Sequence, residues 1–152
     1  MIVNSNKFNS IVNFLVKLSD YSIMRDHKHA CALIKGGKIL KASVNTIGNR
    51  TIGHAEKMLI NILKKLSLEF NFKRCILVII RVSKTQIAYS KPCNNCIEDI
   101  RACGIRKVLY STNDGFEVIK STDLINSHKT CHYKSNSEVK SHFKNKMKLS
   151  SN

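Results

Sequence analysis

Two short stretches, His54-Ala55-Glu56 and Pro92-Cys93-Asn94-Asn95-Cys96, constrain this chain more than any other part of it. The first heads a run in which Ala55, Met58, Leu59, Ile62, Leu63 and Leu66 keep helical spacing, so a long second helix carries His54 and Glu56 at its N-terminal end. Two positions apart, His54 and Glu56 do not share a face of a regular helix. His54 therefore belongs in the very first turn, where the backbone is still entering. The second stretch opens another helix: Pro92 suits its entry, Cys93 and Cys96 are three apart and lie on one face, Ile97, Ile100 and Cys103 continue it, and Gly104-Ile105 fits its stop. No other His and Cys residues are arranged at two helix starts, and a chain that uses them together must bring those starts to one place.

One imidazole and two thiols suit zinc. A catalytic zinc takes three protein ligands and leaves a fourth position for water, which His54, Cys93 and Cys96 satisfy while Glu56 stays free to move protons. At a helix start both thiols feel the positive end of the helix, which favours the thiolate a metal needs. Taken alone, C-x-x-C also fits a redox dithiol, but that motif follows a strand in a thioredoxin-like pattern and needs no distant His and Glu. A structural zinc needs a fourth ligand; His128 and His132 have finger-like spacing, but the interval from Cys96 is too long for a compact finger.

An H-x-E element followed by P-C-x-x-C is the signature of zinc deaminases that act on a nucleobase, and at these residues the chain resembles the cytidine/deoxycytidylate deaminase superfamily. The resemblance covers about residues 27–128. It implies a three-layer α/β/α sandwich, a five-stranded mixed sheet with helices on both faces, and one zinc between the N-termini of two helices. It implies His54, Cys93 and Cys96 as metal ligands and Glu56 as the catalytic group that shuttles a proton to the ring nitrogen and the departing ammonia. Asn45 resembles the asparagine that the family places after the second strand to hydrogen-bond the sugar or base; the alternative is an asparagine that merely ends a strand. The chain lacks the Gly-Asn-x-Glu-Asn substrate loop of the free cytidine enzymes.

Taken in order, the chain opens with apolar residues at Phe8, Ile11, Val12, Leu15 and Leu18, which predict an amphipathic helix of roughly residues 5–20. Arg25, His27 and His29 follow in a polar connection; a histidine pair there could gate a site or contact phosphate, but ordinary loop or strand-end histidines are the better reading. Residues 29–35 and 38–44 are apolar runs about Gly36-Gly37, a strong tight-hairpin signal. Cys75 to Val82 has the continuous apolar character of a central strand covered on both faces. Residues 106–111 and 116–120 flank the turn cluster Thr112-Asn113-Asp114-Gly115 and should pair antiparallel, since a parallel pair needs a crossover of a dozen or more residues. Ser121 to Ser127 reads as a short helix capped by Ser121 or Thr122.

The division expected is a domain over residues 1–128 and a basic, partly disordered tail over 129–152, which holds six Lys and one Glu. The net charge of +16 would draw anionic partners, nucleotide phosphates or nucleic acid, although a lysine-rich solvated surface accounts for it equally well. Six cysteines without a secretory signal argue for reduced thiols and a metal site, hence an intracellular, cytoplasmic, reducing compartment. Cys31 and Cys75 read as buried small hydrophobes, and no apolar run approaches a membrane span, so no membrane partner is expected.

The resemblance implies an enzyme that converts a cytosine-bearing free nucleoside or nucleotide to its uracil form, with a homo-oligomer as an open arrangement. An antiparallel last pair of strands resembles the branch acting on free nucleosides and related small molecules; the tRNA, deoxycytidylate and polynucleotide-editing branch usually inserts a helix there and runs the last strand parallel. Two alternatives stand beside it: a deaminase of RNA or single-stranded DNA using the tail as a basic arm, and a catalytically silent zinc-stabilised domain that binds nucleic acid. Glu56 separates the enzyme readings from the silent one, because a structural zinc needs no proton shuttle.

Overall fold

The computed structural model describes residues 5–47, 52–65 and 71–126. Helix α1, Asn6–Ser19, starts where the Ser5 hydroxyl accepts from the Phe8 amide at 3.2 Å, and its i, i+3, i+4, i+7 pattern buries Phe8, Ile11, Val12 and Leu15. Strands β1 (Lys28–Lys35) and β2 (Lys38–Val44) form the hairpin expected from Gly36-Gly37. Both glycines have positive φ, +59° and +76°, the requirement of a two-residue turn whose twist matches its strands.

The region between Asn45 and His54 contains a small separate ribbon, β3 (Thr46–Ile47) paired with β4 (Ile52–Gly53), that leads directly into α2, Ala55–Lys65. Then come β5 (Ile76–Ser83), β6 (Gln86–Ala88), α3 (Asn94–Ala102), β7 (Lys107–Thr112) and β8 (Gly115–Lys120). The main sheet runs β2-β1-β5-β7-β8 with β5 in the middle, as its unbroken apolar run predicts. Only β5 and β7 are parallel, and β7–β8 are antiparallel across the two-residue loop Asn113-Asp114.

Alternation along the strands sorts the core into two layers. Ala30, Ala32, Ile34, Val78, Ile80, Val82 and Leu109 face α1. Cys31, Leu33, Leu77, Ile79, Val108 and Tyr110 face Leu59 and Ile60 of α2 and Ile97 and Ile100 of α3. This is the three-layer α/β/α arrangement. Each large aliphatic side chain withdrawn fully from water stabilises the fold by about 1.5–3 kcal/mol. Cys31 and Cys75 lie in the core as small hydrophobes, 0% and 1% exposed. No helix among the described residues is long and apolar enough to cross a membrane.

Two expectations are corrected. The main sheet has a sixth strand, β6, which pairs antiparallel with the last three residues of β5 while β7 pairs with the first four. Two buried serines close the fork between them. Ser90 donates to the Ile79 carbonyl at 2.9 Å and Ser111 to the Ala88 carbonyl at 2.6 Å, with the hydroxyls 2.8 Å apart. The second correction concerns Ser121 to Ser127: Ser121 to Asp123 form a turn, and no helix follows through Asn126. Arg101 explains why, since its Nε donates to the Ser121 carbonyl (2.8 Å) and its Nη2 to the carbonyls of Thr122 (3.2 Å) and Leu124 (2.7 Å), acceptors a helix would need for itself. Leu66, Ser127, the 1–128/129–152 boundary and the tail lie outside the described residues.

Candidate active site

His54 immediately precedes α2, and its carbonyl accepts the Met58 amide at 2.9 Å, so the imidazole leaves the chain at the mouth of the helix, as the two-residue offset from Glu56 requires. Cys93 occupies the cap position of α3 with extended backbone (φ −73°, ψ 166°), and its thiol takes no part in capping. Its carbonyl accepts the Ile97 amide at 2.9 Å, which starts the helix and puts Cys96 one turn on. Lys57 of α2 pairs with Asp99 of α3 at 2.7 Å, a link between the two helices, and Asn126 donates to the Pro92 carbonyl at 2.9 Å, fixing the segment that leads into Cys93.

The three expected ligands meet. His54 Nδ1 lies 3.4 Å from Cys96 Sγ and 3.8 Å from Cys93 Sγ, and the three atoms fall within 4.8 Å of one another. Bond lengths of about 2.3 Å to sulfur and 2.0–2.1 Å to nitrogen at tetrahedral angles require N–S separations of about 3.6 Å. The donor set therefore fits zinc in both chemistry and spacing. Both thiols are buried, so the metal would sit in a largely dry recess.

Electrostatics refine the expectation for the thiols. Cys96 is raised well above an ordinary thiol by its hydrogen bond with Cys93, then by burial and the nearby Glu56 carboxyl. Without a metal Cys96 is held as a thiol, and the positive helix end does not outweigh the hydrogen bond and the burial. Zinc uptake must release protons. At His54 burial disfavours the charged form, but the Cys93 hydrogen bond and the Glu56 charge outweigh it and leave the net shift upward.

Glu56 is 2% exposed, and its Oε2 has no hydrogen-bond partner among the described residues. Burial raises its carboxyl above the usual range, opposed in part by His54. A buried carboxyl with an unengaged oxygen beside a three-ligand metal site is equipped to carry a proton.

Asn45 is placed differently from a group that reaches freely into a cleft. Its Oδ1 accepts from the Ser22 hydroxyl (2.6 Å) and the His29 amide (2.9 Å), and its Nδ2 donates to the His27 carbonyl (2.7 Å). These bonds tie the connection after α1 to the start of β1 and the end of β2.

His29 sits at the start of β1, as a strand-end histidine, opposite Arg81 of β5. They pair across β1 and β5, and strand alternation puts both on the face shared by Cys31 and Ile79 that packs toward α2. Burial pushes the His29 imidazole down to about 4, and the charges of His54, Arg81 and His27 act in the same direction. Arg81 is the single charged residue in the otherwise apolar run from Cys75 to Val82.

The model of the cytidine and deoxycytidylate deaminase zinc-binding region matches residues 6–112. The fold is similar to cytidine deaminase from Burkholderia pseudomallei, at TM-score 0.59 and 13% identity over 80% of this chain and 98% of that one. It is also similar to apo dCMP deaminase from the cyanophage S-TIM5, at TM-score 0.52 and 19% identity over 68% and 81% of the two chains. No curated protein sequence matches.

Proposed function

This chain belongs to the cytidine and deoxycytidylate deaminase family, and from that premise we propose that it hydrolytically deaminates a cytosine-bearing free nucleoside or nucleotide to the uracil form. The observation that carries the reading is the buried Glu56 carboxyl, with one oxygen unengaged, beside the converging His54, Cys93 and Cys96. Held by those three residues, zinc would acidify water from a pKa of 15.7 to about 7 and so make it a nucleophile near neutral pH.

The chain's own residues do the rest. Glu56 takes a proton from the water, places it on the ring nitrogen as oxygen adds to the adjacent carbon, and delivers a proton to the amino group that leaves as ammonia. Burial that favours its neutral form makes it a competent donor in the second half of that transfer. His54 offers Nδ1 to the metal and must keep that nitrogen unprotonated. Asn45 has one amide proton beyond the bonds it makes within the protein, and in this reading that proton meets the sugar or base.

The antiparallel β7–β8 pair, with a two-residue loop and no inserted helix, favours the free-nucleoside branch over the tRNA, deoxycytidylate and polynucleotide-editing branch. The positive charge supports a phosphorylated substrate or, in the second reading, a polynucleotide. We assign the activity to residues 1–128.

The test is an assay of the zinc-loaded protein on cytidine, deoxycytidine, their monophosphates, purine nucleosides and single-stranded RNA and DNA. Release of ammonia from a free cytosine compound should survive deletion of residues 129–152. It should fall by about 10²–10⁴-fold in Glu56→Ala with zinc retained. Activity confined to polynucleotides and lost with the tail would overturn the free-substrate reading, and undiminished turnover in zinc-loaded Glu56→Ala would remove Glu56 from the chemistry.

A further inference from the structure

The segment that delivers Cys93 is Ser90-Lys91-Pro92, and it starts at the fork where β7 stops pairing with β5 and β6 takes over. Across that gap two hydroxyls stand in for ladder bonds. The Ser111 amide of β7 donates to Ser90 Oγ (2.9 Å), which donates in turn to the Ile79 carbonyl of β5 (2.9 Å). The Arg81 amide of β5 donates to Ser111 Oγ (3.2 Å), which donates to the Ala88 carbonyl of β6 (2.6 Å). Each hydroxyl has one proton and gives it to one carbonyl, so both relays are satisfied together. The Ser90 amide also donates to the Ser111 carbonyl at 2.9 Å, and both serines are buried.

These bonds do more than complete the sheet, because Ser90 belongs to none of the three strands it ties. It lies three positions before Cys93, where the chain leaves the sheet for the metal site. Two positions further on, the Pro92 carbonyl accepts from Asn126 Nδ2 at 2.9 Å, and the proline ring fixes its own φ. The approach to Cys93 is thus anchored at both ends. Cys93 offers its carbonyl to the Ile97 amide and its thiol takes no part in capping α3, so the thiol goes where the backbone carries it, and Cys96 moves with the same helix start. His54 arrives separately, at the start of α2. The separations of 3.4 and 3.8 Å between its Nδ1 and the two sulfurs therefore depend on how each backbone is held.

We infer that Ser90, backed by Ser111, and Asn126 are positioning residues of the metal site: they set where Cys93 and Cys96 stand relative to His54. This rests on the zinc ligands of the deaminase reading and not on its substrate. Without the Ser90 hydroxyl the Ile79 carbonyl and the Ser111 amide lose the partner they share, and the ligand segment loses its anchor at the sheet. Groups that orient metal ligands govern metal affinity by about 10–100-fold.

The experiment compares the parent with Ser90→Ala, Ser90→Thr, Asn126→Ala and, as a control from the opposite face, Leu15→Ala, each checked for folding by circular dichroism. Three quantities are measured: the zinc dissociation constant by competition with a chelator, the visible absorption of the cobalt(II)-loaded protein, and stability to denaturant. Zinc affinity is read on folded molecules, so a loss of global stability alone does not move it. The cobalt bands report how the ligands are arranged about the ion.

In Ser90→Ala the zinc dissociation constant should rise by about tenfold to a hundredfold and the cobalt bands should shift. Ser90→Thr keeps the hydroxyl and should bring both most of the way back. Asn126→Ala should raise the constant by about twofold to tenfold, the worth of one neutral hydrogen bond. Leu15→Ala should lose stability with affinity and bands unchanged. Parent-like affinity and bands in Ser90→Ala overturn the positioning role and leave the serines a matter of sheet stability alone, as does a loss of affinity in Leu15→Ala equal to theirs. If Ser90→Ala does not fold, Asn126→Ala, at a half-buried position, decides by the same criteria. A parent that binds zinc and shows these shifts yet deaminates nothing upholds the role and refutes the deaminase reading instead.

Discussion

The two faces of the sheet use the same strands to different ends. Toward α1, Ala30, Ala32, Ile34, Val78, Ile80, Val82 and Leu109 meet Phe8, Ile11, Val12 and Leu15 in an apolar layer. Toward α2 and α3 the intervening residues of β1 and β5 pack as closely, but the layer ends in His29 and Arg81, and the helices begin with His54, Glu56, Cys93 and Cys96. Burial on the first face serves stability alone. On the second it also dries and tunes the polar groups at its margin, since burial is the main cause that raises Glu56 and lowers His29 and adds to the Cys93 hydrogen bond in raising Cys96. The candidate metal ligands and Glu56 lie on this second face alone, at the starts of α2 and α3.

The largest expected effect divides the faces most sharply. Cys93→Ala should lose its zinc and much of its stability, because metal-binding energy is available only to the folded chain and reaches about 10–16 kcal/mol in small zinc domains. Metal analysis together with thermal unfolding, with and without chelator, checks this; one zinc per chain in the variant would refute the ligand assignment.

On the opposite face, Leu15→Ala should cost about 2–5 kcal/mol through the cavity it leaves, yet keep one zinc per folded chain. Denaturant unfolding with metal analysis of the native fraction measures both. Loss of zinc in step with stability would show that the faces are not separable.

A smaller effect depends on pH. His29 has a folded value of about 4, below the ordinary 6.5, so the unfolded chain binds the extra proton between those values. Its contribution is full above pH 6.5, declines as pH falls, and is gone below about 4, a loss of at most about 3 kcal/mol. The parent should lose more stability than His29→Gln between pH 7 and pH 4.5, and parallel curves would contradict the burial assigned to this ring.

The smallest change is expected at the bridge between the two helices of the active face. Lys57→Ala removes a half-exposed ion pair to Asp99 and should cost below about 1 kcal/mol, with zinc retained. A loss of several kcal/mol, or of metal, would mean that the pair holds the two helix starts in register.

Much of this molecule was legible because it depends on neighbours in sequence. Helical spacing from Phe8 to Leu15 gives α1, Gly36-Gly37 with two positive φ angles gives the first hairpin, and Asn113-Asp114 is too short to join a parallel pair. The offset of His54 from Glu56 and the three-residue step from Cys93 to Cys96 place all four side chains at helix starts. Strand β6 escaped because it is three residues long, follows a polar reach, and turns on Lys84 at φ 55° without the glycine or asparagine that usually marks such a turn.

What the residues determined by themselves is thus most of the elements, together with the candidate ligand set and the carboxylate beside it, since these follow from spacings of two to four positions and from the donor chemistry of His, Cys and Glu. Only the tertiary structure decided which carbonyls Arg101 takes from the Ser121–Leu124 segment, how Ser90 and Ser111 close the fork of β5, and that Arg81 lies opposite His29 with its Nε buried and unpaired among the described residues. These contacts join residues some twenty to fifty positions apart. Their outcome depends on competition for hydrogen bonds and on loss of water, which strand register and packing settle and local periodicity does not record.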